Sequence, residues 1–236
     1  MNLRHRSYQK EFLDRDDIPF VDIQQNMREL DVINKKLGGH RITVKGFNQL
    51  LSDKKEVHVC EIGCGGGDNI FALQQWCKKL QIKIYFTGID IKQSCIDFAK
   101  AKQDIQPCTQ WIVSDYRKVT FHQKPDIIFS SLFCHHFTND DLLEQVKWMQ
   151  QNSNIGFFIN DLQRNQLAYQ SIKWLTKFFS KSYLVKNDAP LSVERGFHKE
   201  EWLQIMRKAG IKNYKIKWQW AFRYLITYKH DWKQQI

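Results

Sequence analysis

From residue 57 onward, short apolar runs alternate with stretches whose apolar residues recur every three to four positions. This is the pattern of a mostly parallel sheet covered by helices on both faces. Strands are predicted at 57–62, 82–89, 109–114, 126–130 and 155–160, with helices at 68–80, 92–102 and 199–209. The strand predictions finish at or beside polar residues: Glu61, Asp90, Asp115, Ser131 and Asp161. Open α/β sheets bind ligands outside the carboxyl ends of their strands, so these endings are expected to converge on one crevice. After a helix stop at Gly210, two aromatic-rich runs at 214–220 and 221–228 predict a closely spaced antiparallel pair that finishes the sheet.

Upstream, Ile23, Met27, Leu30, Ile33 and Leu37 share a helical face that stops at Gly38-Gly39, and residues 8–50 read as mainly helical. The expected organisation is an N-terminal helical cap over 1–54 and a ligand-binding α/β domain over 55–236. A helical insertion at 163–197 follows the fifth strand. Within it, Ala168, Ile172, Leu175 and Phe179 make one apolar face, Trp174 and Phe178 lie off that face, and Lys173, Lys177 and Lys181 share another. Such a helix either roofs a pocket as a lid or packs peripherally on the core.

Composition narrows the class. The 236 residues suffice for a sizeable core in one elaborated domain. No run approaches the roughly 18 apolar residues of a membrane span. Nor does the beginning carry an apolar region of signal type, so a cytoplasmic location is expected. The six cysteines form no C-x-x-C pair and no zinc-type spacing, so neither a metal nor a disulfide framework is expected. A net charge of +11 admits an acidic partner, but the lysines are scattered over predicted helix faces and loops, which disfavours nucleic acid as substrate.

The most informative segment is 57–68, where an apolar strand ending in Glu61 runs into Gly63-Cys64-Gly65-Gly66-Gly67 and then Asp68. Glycines without Cβ let backbone lie close to a small molecule and take the positive φ of a tight turn. A dinucleotide fingerprint needs glycine at the sixth place, which here is Asp68, and a phosphate-cradling P-loop needs a Gly-Lys-Ser/Thr ending, which is absent.

Glu61-Ile62-Gly63-Cys64-Gly65-Gly66-Gly67, a second strand ending at Asp90, a third ending at Asp115 and a final strand pair resemble the class I S-adenosylmethionine-dependent methyltransferases over about residues 55–230. The branch most resembled includes ubiquinone/menaquinone biosynthesis methyltransferases and small-molecule O-methyltransferases. The stretches Asn26-Met27-Arg28-Glu29-Leu30 with Leu37-Gly38-Gly39-His40-Arg41, and Asp161-Leu162-Gln163-Arg164 with Pro190-Leu191-Ser192-Val193, also resemble bacterial methyltransferases of polyketide or aryl-pigment pathways. The resemblance implies a Rossmann-like seven-stranded sheet, mostly parallel with an antiparallel last strand, and S-adenosylmethionine as cofactor. It implies that Glu61 serves the ammonium side, directly or through water, and that Gly63, Cys64, Gly65 and Gly67 lie against the methionyl and ribose part. Asp90 would accept both ribose hydroxyls with Ile91 against the adenine, Asp115 would accept from the adenine amine with Tyr116 beside it, and Ser131 would complete the set.

The methyl group is already activated on sulfur, so the protein chiefly has to align an acceptor and exclude water. A phenol or enol acceptor is helped by a base, for which His135 and His136 after the fourth strand are the candidates; the histidine pKa near 6.5 suits the task. Asp161, Arg164, Tyr169 and Arg195 are expected to contact the acceptor, with His198 a further candidate. The expected reaction is O-methylation of an aromatic or polyketide-like small molecule. The alternatives are C-methylation of a quinone-type precursor, an RNA methyltransferase, a nicotinamide-dependent oxidoreductase and a non-catalytic methyltransferase-like module. The RNA alternative lacks an added RNA-binding module and an Asn-Pro-Pro-Tyr run. Oligomeric state is not specified.

Overall fold

The computed structural model describes residues 3–15, 17–51, 54–102 and 108–231. The first two residues of the chain, and residues 52–53 next to the expected boundary of the helical cap, lie outside them. In chain order the elements are α1 (Phe20–Lys36), α2 (Gly39–Leu50), β1 (Glu56–Ile62), α3 (Asp68–Lys79), β2 (Lys83–Asp90), α4 (Gln93–Lys100), β3 (Thr109–Val113), β4 (Ile127–Ser131) and α5 (Asn139–Asn152). Then come β5 (Gly156–Leu162), α6 (Gln166–Phe179), α7 (Tyr183–Arg195), α8 (Lys199–Lys208), β6 (Tyr214–Gln219) and β7 (Arg223–Lys229).

The seven strands form one sheet in the order β3-β2-β1-β4-β5-β7-β6. All neighbours are parallel as far as β5, and β7 runs antiparallel to both β5 and β6. The chain leaves β1 toward β3 and returns to β4 on the other side, so the order reverses between β1 and β4, where a crevice opens at the strand ends.

Residue parity along the strands explains the two layers. Val57, Val59, Ile127, Phe129, Phe158 and Leu225 face a core completed by α2, α3 and α4. Cys60, Ile62, Ile128, Phe157, Ile159 and Ile226 face the opposite core, filled by Leu142, Val146 and Met149 of α5 and Trp202, Ile205 and Met206 of α8. Alternate side chains of a strand point to opposite faces, so a strand buried on both reads as a continuous apolar run.

Helix α2 of the N-terminal region packs directly on the sheet: Gly46 lies so close to Phe158 that a Cβ would stand 2.5 Å from its ring. One expectation gains detail here. The insertion holds two helices, and Pro190 inside α7 hides the second from a periodicity reading. Among the described residues no helix is long and apolar enough to cross a membrane.

Phe47 of α2 is fully buried between helix and sheet. Phe47→Ala should cost about 3–5 kcal/mol. In urea unfolding the midpoint should fall with the slope unchanged; a cost near that of a surface substitution would show that α2 is dispensable to the core.

Candidate functional site

The glycine turn is fixed by its neighbours. The amide of Cys64 donates to the Ile89 carbonyl at 3.0 Å, tying the turn to β2, and that of Gly67 donates to Cys64 O at 2.9 Å. Asp90, the last residue of β2, accepts from the amides of Gly65 and Lys92, each at 2.9 Å. Its carboxyl therefore shapes the turn as well as facing the space above it. Gly63 has φ of +65° and Gly65 of +49°. A Cβ at Gly63 would sit 2.1 Å from the Phe133 ring, whereas one at Gly65 would meet only Met27 Sδ at 3.7 Å and would project into open space. The first glycine is required by packing, and the second leaves room for a ligand.

That space is a cavity of about 660 Å³, within the usual range for small-molecule sites. Glu61, Gly63, Cys64, Gly65, Asp90, Ile91, Asp115, Tyr116, Ser131, His135 and His136 all border it. Glu61 is buried at the end of β1; its Oε1 accepts from Asn69 Nδ2 at 3.1 Å, and its Oε2 has no partner among the described residues. Burial, with the Asp68 charge nearby, raises its pKa well above the ordinary carboxyl range. Burial also raises that of Asp90.

Arg223 at the start of β7 is buried and also borders the cavity; Nη2 donates to Asn34 Oδ1 at 2.9 Å, while Nη1 is unpartnered among the described residues. Burial lowers its pKa to about 10. Asn34 in turn donates to Asp68, which His40 meets at 2.8 Å. The wall therefore offers one buried carboxylate oxygen and one buried guanidinium nitrogen without protein partners, a pair suited to the ammonium and carboxylate of an amino-acid head.

The remaining expected residues take other places. Gly67 is the N-cap of α3 and does not border the cavity. Asp115 borders it, but both carboxylate oxygens accept from Arg117, at 2.6–3.1 Å, which holds its pKa down. Tyr116 is packed edge-on against Phe133, Phe137 and Trp148.

None of Asp161, Arg164, Tyr169 and Arg195, expected at the acceptor, borders the cavity. Arg164 is buried behind it, donating to the carbonyls of Leu3 and Gly196 and to Glu201. Arg195 donates to the carbonyls of His135 and Gln9. Tyr169 lies under the ammonium of Lys173, and His198 caps α8. Asp161 acts from behind: its carboxylate accepts from the amides of Phe133, Cys134 and His135, and from His135 Nδ1 at 2.8 Å.

The segment before α1, expected to belong to a helical cap, instead runs as a strap across the site, with one 3-10 turn, Phe12–Asp14, among its described residues. Buried Arg6 donates to the carbonyls of Arg195, His135 and Phe137 and to Asn139. Glu11 and Asp14 border the cavity beside the histidines: His135 Nε2 is 3.5 Å from Glu11, and His136 Nδ1 is 3.2 Å from Asp14. Burial alone would lower the His135 pKa, but Asp161 and Glu11 outweigh it, and the value is pushed up to about 9. His135 is thus an imidazolium between two carboxylates, whereas His136 keeps 24% of its side chain exposed at the cavity.

Cysteine and histidine spacing offers no metal motif, yet the fold gathers donor atoms of Glu11, His135 and His136 within 4.8 Å of one another, and likewise those of Asp31, His40 and Asp68. In the first group Arg195 stands 3.8 Å from Glu11 and supplies positive charge. Neither Glu11 nor Arg223 was indicated by the sequence, because isolated charges in a non-periodic strap and at a strand start give no signal.

Residues 59–154 match the methyltransferase domain family. No curated protein matches the sequence. Among solved structures, the plantazolicin methyltransferase BpumL, in complex with a monoazolic desmethyl analogue and SAH, is similar with a TM-score of 0.62 and 23% identity over 88% of this chain and 76% of its own. Human N-acetylserotonin methyltransferase in complex with SAM has a TM-score of 0.62 at 13% identity, over 94% of this chain and 63% of its own. A SAM-dependent methyltransferase from Aquifex aeolicus has a TM-score of 0.57 at 13% identity, over 79% and 88%. These likenesses concern the fold, and the family match lies on the strands that carry the glycine turn and the acids. Residues 59–154 thus form a methyltransferase domain, set in a sheet with the fold of the class I S-adenosylmethionine-dependent methyltransferases.

Proposed function

We propose that the protein methylates an oxygen of a small, largely apolar acceptor of aromatic or polyketide-like type. One observation carries this reading: the glycine turn and strand-end acids share a single cavity with an apolar compartment bordered by Ala168, Ile172 and Leu175 of α6 and Val185, Ala189 and Val193 of α7. A donor and an uncharged acceptor can therefore occupy adjoining spaces under one roof.

Bound, S-adenosylmethionine supplies a methyl group made electrophilic by its sulfonium. Glu61 Oε2 and Arg223 Nη1 would hold the ammonium and carboxylate ends, Asp90 would take ribose hydroxyls with the lone pairs left by its two amide bonds, and Gly65 leaves space for close approach. Ile91 would lie beside the adenine. The roof of α6 and α7 excludes water and fixes the acceptor, an arrangement worth up to roughly 7–11 kcal/mol through proximity.

His136 removes the acceptor proton. It reaches the cavity, and Asp14 beside Nδ1 orients the ring and stabilises the imidazolium that forms. His135, already protonated, is unsuited to be the base and serves as a positioning residue, bridging Asp161 to Glu11.

Calorimetric titration should show binding of S-adenosylmethionine to the wild type and loss of most of it in Asp90→Ala; no binding to wild type would overturn the reading. Because Glu61 is easier to protonate when no cation faces it, affinity should rise with pH above the ordinary carboxyl range, and Glu61→Gln should flatten that rise. Once an acceptor is in hand, His136→Gln should lower kcat by about 100-fold with little change in KM; an unchanged kcat would exclude it as base. His135 has a folded pKa near 9 against 6.5 for the free group. Its pairing therefore stabilises the fold fully below pH 6.5 and is lost as pH rises through 9. A histidine NMR titration should show one imidazole titrating near 9, with the melting temperature falling across the same window.

A further inference from the structure

Helix α6 has two faces with different destinations. Ala168, Ile172 and Leu175 border the cavity. Leu167, Trp174 and Phe178, spaced by seven and four residues, turn the other way and are 67%, 54% and 65% exposed. Phe179, expected on the inner face, is 80% exposed. Trp174 and Phe178 stack on each other at 5.5 Å, so the apolar surface is continuous there. Lys173 and Lys177 of the same helix are exposed, as are Lys181 just after it and Lys186 on α7, and Lys177 Nζ lies 5.4 Å from the Trp174 ring. From residue 162 to 187 the chain contains no Asp or Glu.

We infer that α6 seats the enzyme on an anionic lipid surface. Its aromatic face enters the boundary between headgroups and acyl chains while the lysines meet lipid phosphates. A helix with Trp, Phe and Leu on one side, Lys beside them and no acid is built to lie in that interface. At 14 residues it is about 21 Å long and lies in the membrane plane rather than spanning it. The charge decides the occupant: a second copy would bring four lysines against four lysines, whereas an anionic surface complements them and the +11 of the whole chain. This inference goes beyond the reaction proposed above and does not depend on the acceptor.

The test is sedimentation of the full-length protein with phosphatidylcholine vesicles, with and without phosphatidylglycerol, over a range of salt. Binding should require phosphatidylglycerol and weaken with salt, each lysine contributing about fivefold. Trp174→Ser/Phe178→Ser/Phe179→Ser should reduce partitioning at least tenfold, and Lys173→Glu/Lys177→Glu should reduce it similarly, both with unchanged S-adenosylmethionine affinity. Absence of wild-type binding, or equal binding to neutral vesicles, would overturn the inference. So would a wild-type dimer that the triple variant converts to monomer without any vesicle binding, because that outcome assigns the face to a second copy.

Discussion

Asp161 is the penultimate residue of β5, and its carboxylate is sealed from solvent. A charge buried in this way costs several kcal/mol unless it is neutralised and hydrogen-bonded. Here three consecutive amides of the turn after β4, the amide of Leu162 and His135 Nδ1 all donate to it. Compensation of that one charge fixes the turn that places Phe133 over Gly63 and the two histidines at the cavity. The His135 charge it supports then calls for Glu11 on the opposite side, and so draws the N-terminal strap across the site.

The strap shows how a binding wall is made without regular structure. Arg6 satisfies carbonyls that the 3-10 turn at Cys134–His136 and the end of α7 leave open. Asp188 of α7 accepts from the amides of Phe12 and Leu13, and Arg195 closes the ring through Gln9 and Asp14. Backbone polar groups buried by a crossing segment must find partners somewhere. In this molecule they find charged side chains, of which Asp188 borders the cavity while Arg6 and Arg195 stand behind it.

These dependencies explain what could be read from the sequence. The strands and the glycine turn were legible because period and punctuation are local properties, and Glu61, Asp90, Asp115 and Ser131 followed from their position at strand ends. Arg164 and Arg195 were assigned to the acceptor because a basic residue near a site and a basic residue clamping backbone behind it look alike in one dimension. Glu11 and Arg223 were illegible for the converse reason: their importance comes entirely from partners more than a hundred residues away. Phe179 fits the helical period of the inner face and is nonetheless 80% exposed, which no periodicity encodes.

The antiparallel insertion of β7 between β5 and β6 has a further consequence. Glu11 stands near the start of the chain and Arg223 near its end, and the hydrogen-bonded line from Asp68 through Asn34 to Arg223 joins the first helix of the α/β core's glycine turn to the last strand. During synthesis the glycine turn, the strand-end acids and the histidines all emerge before Arg223, so an incomplete chain on the ribosome carries the recognisable motif without a residue that borders the finished cavity.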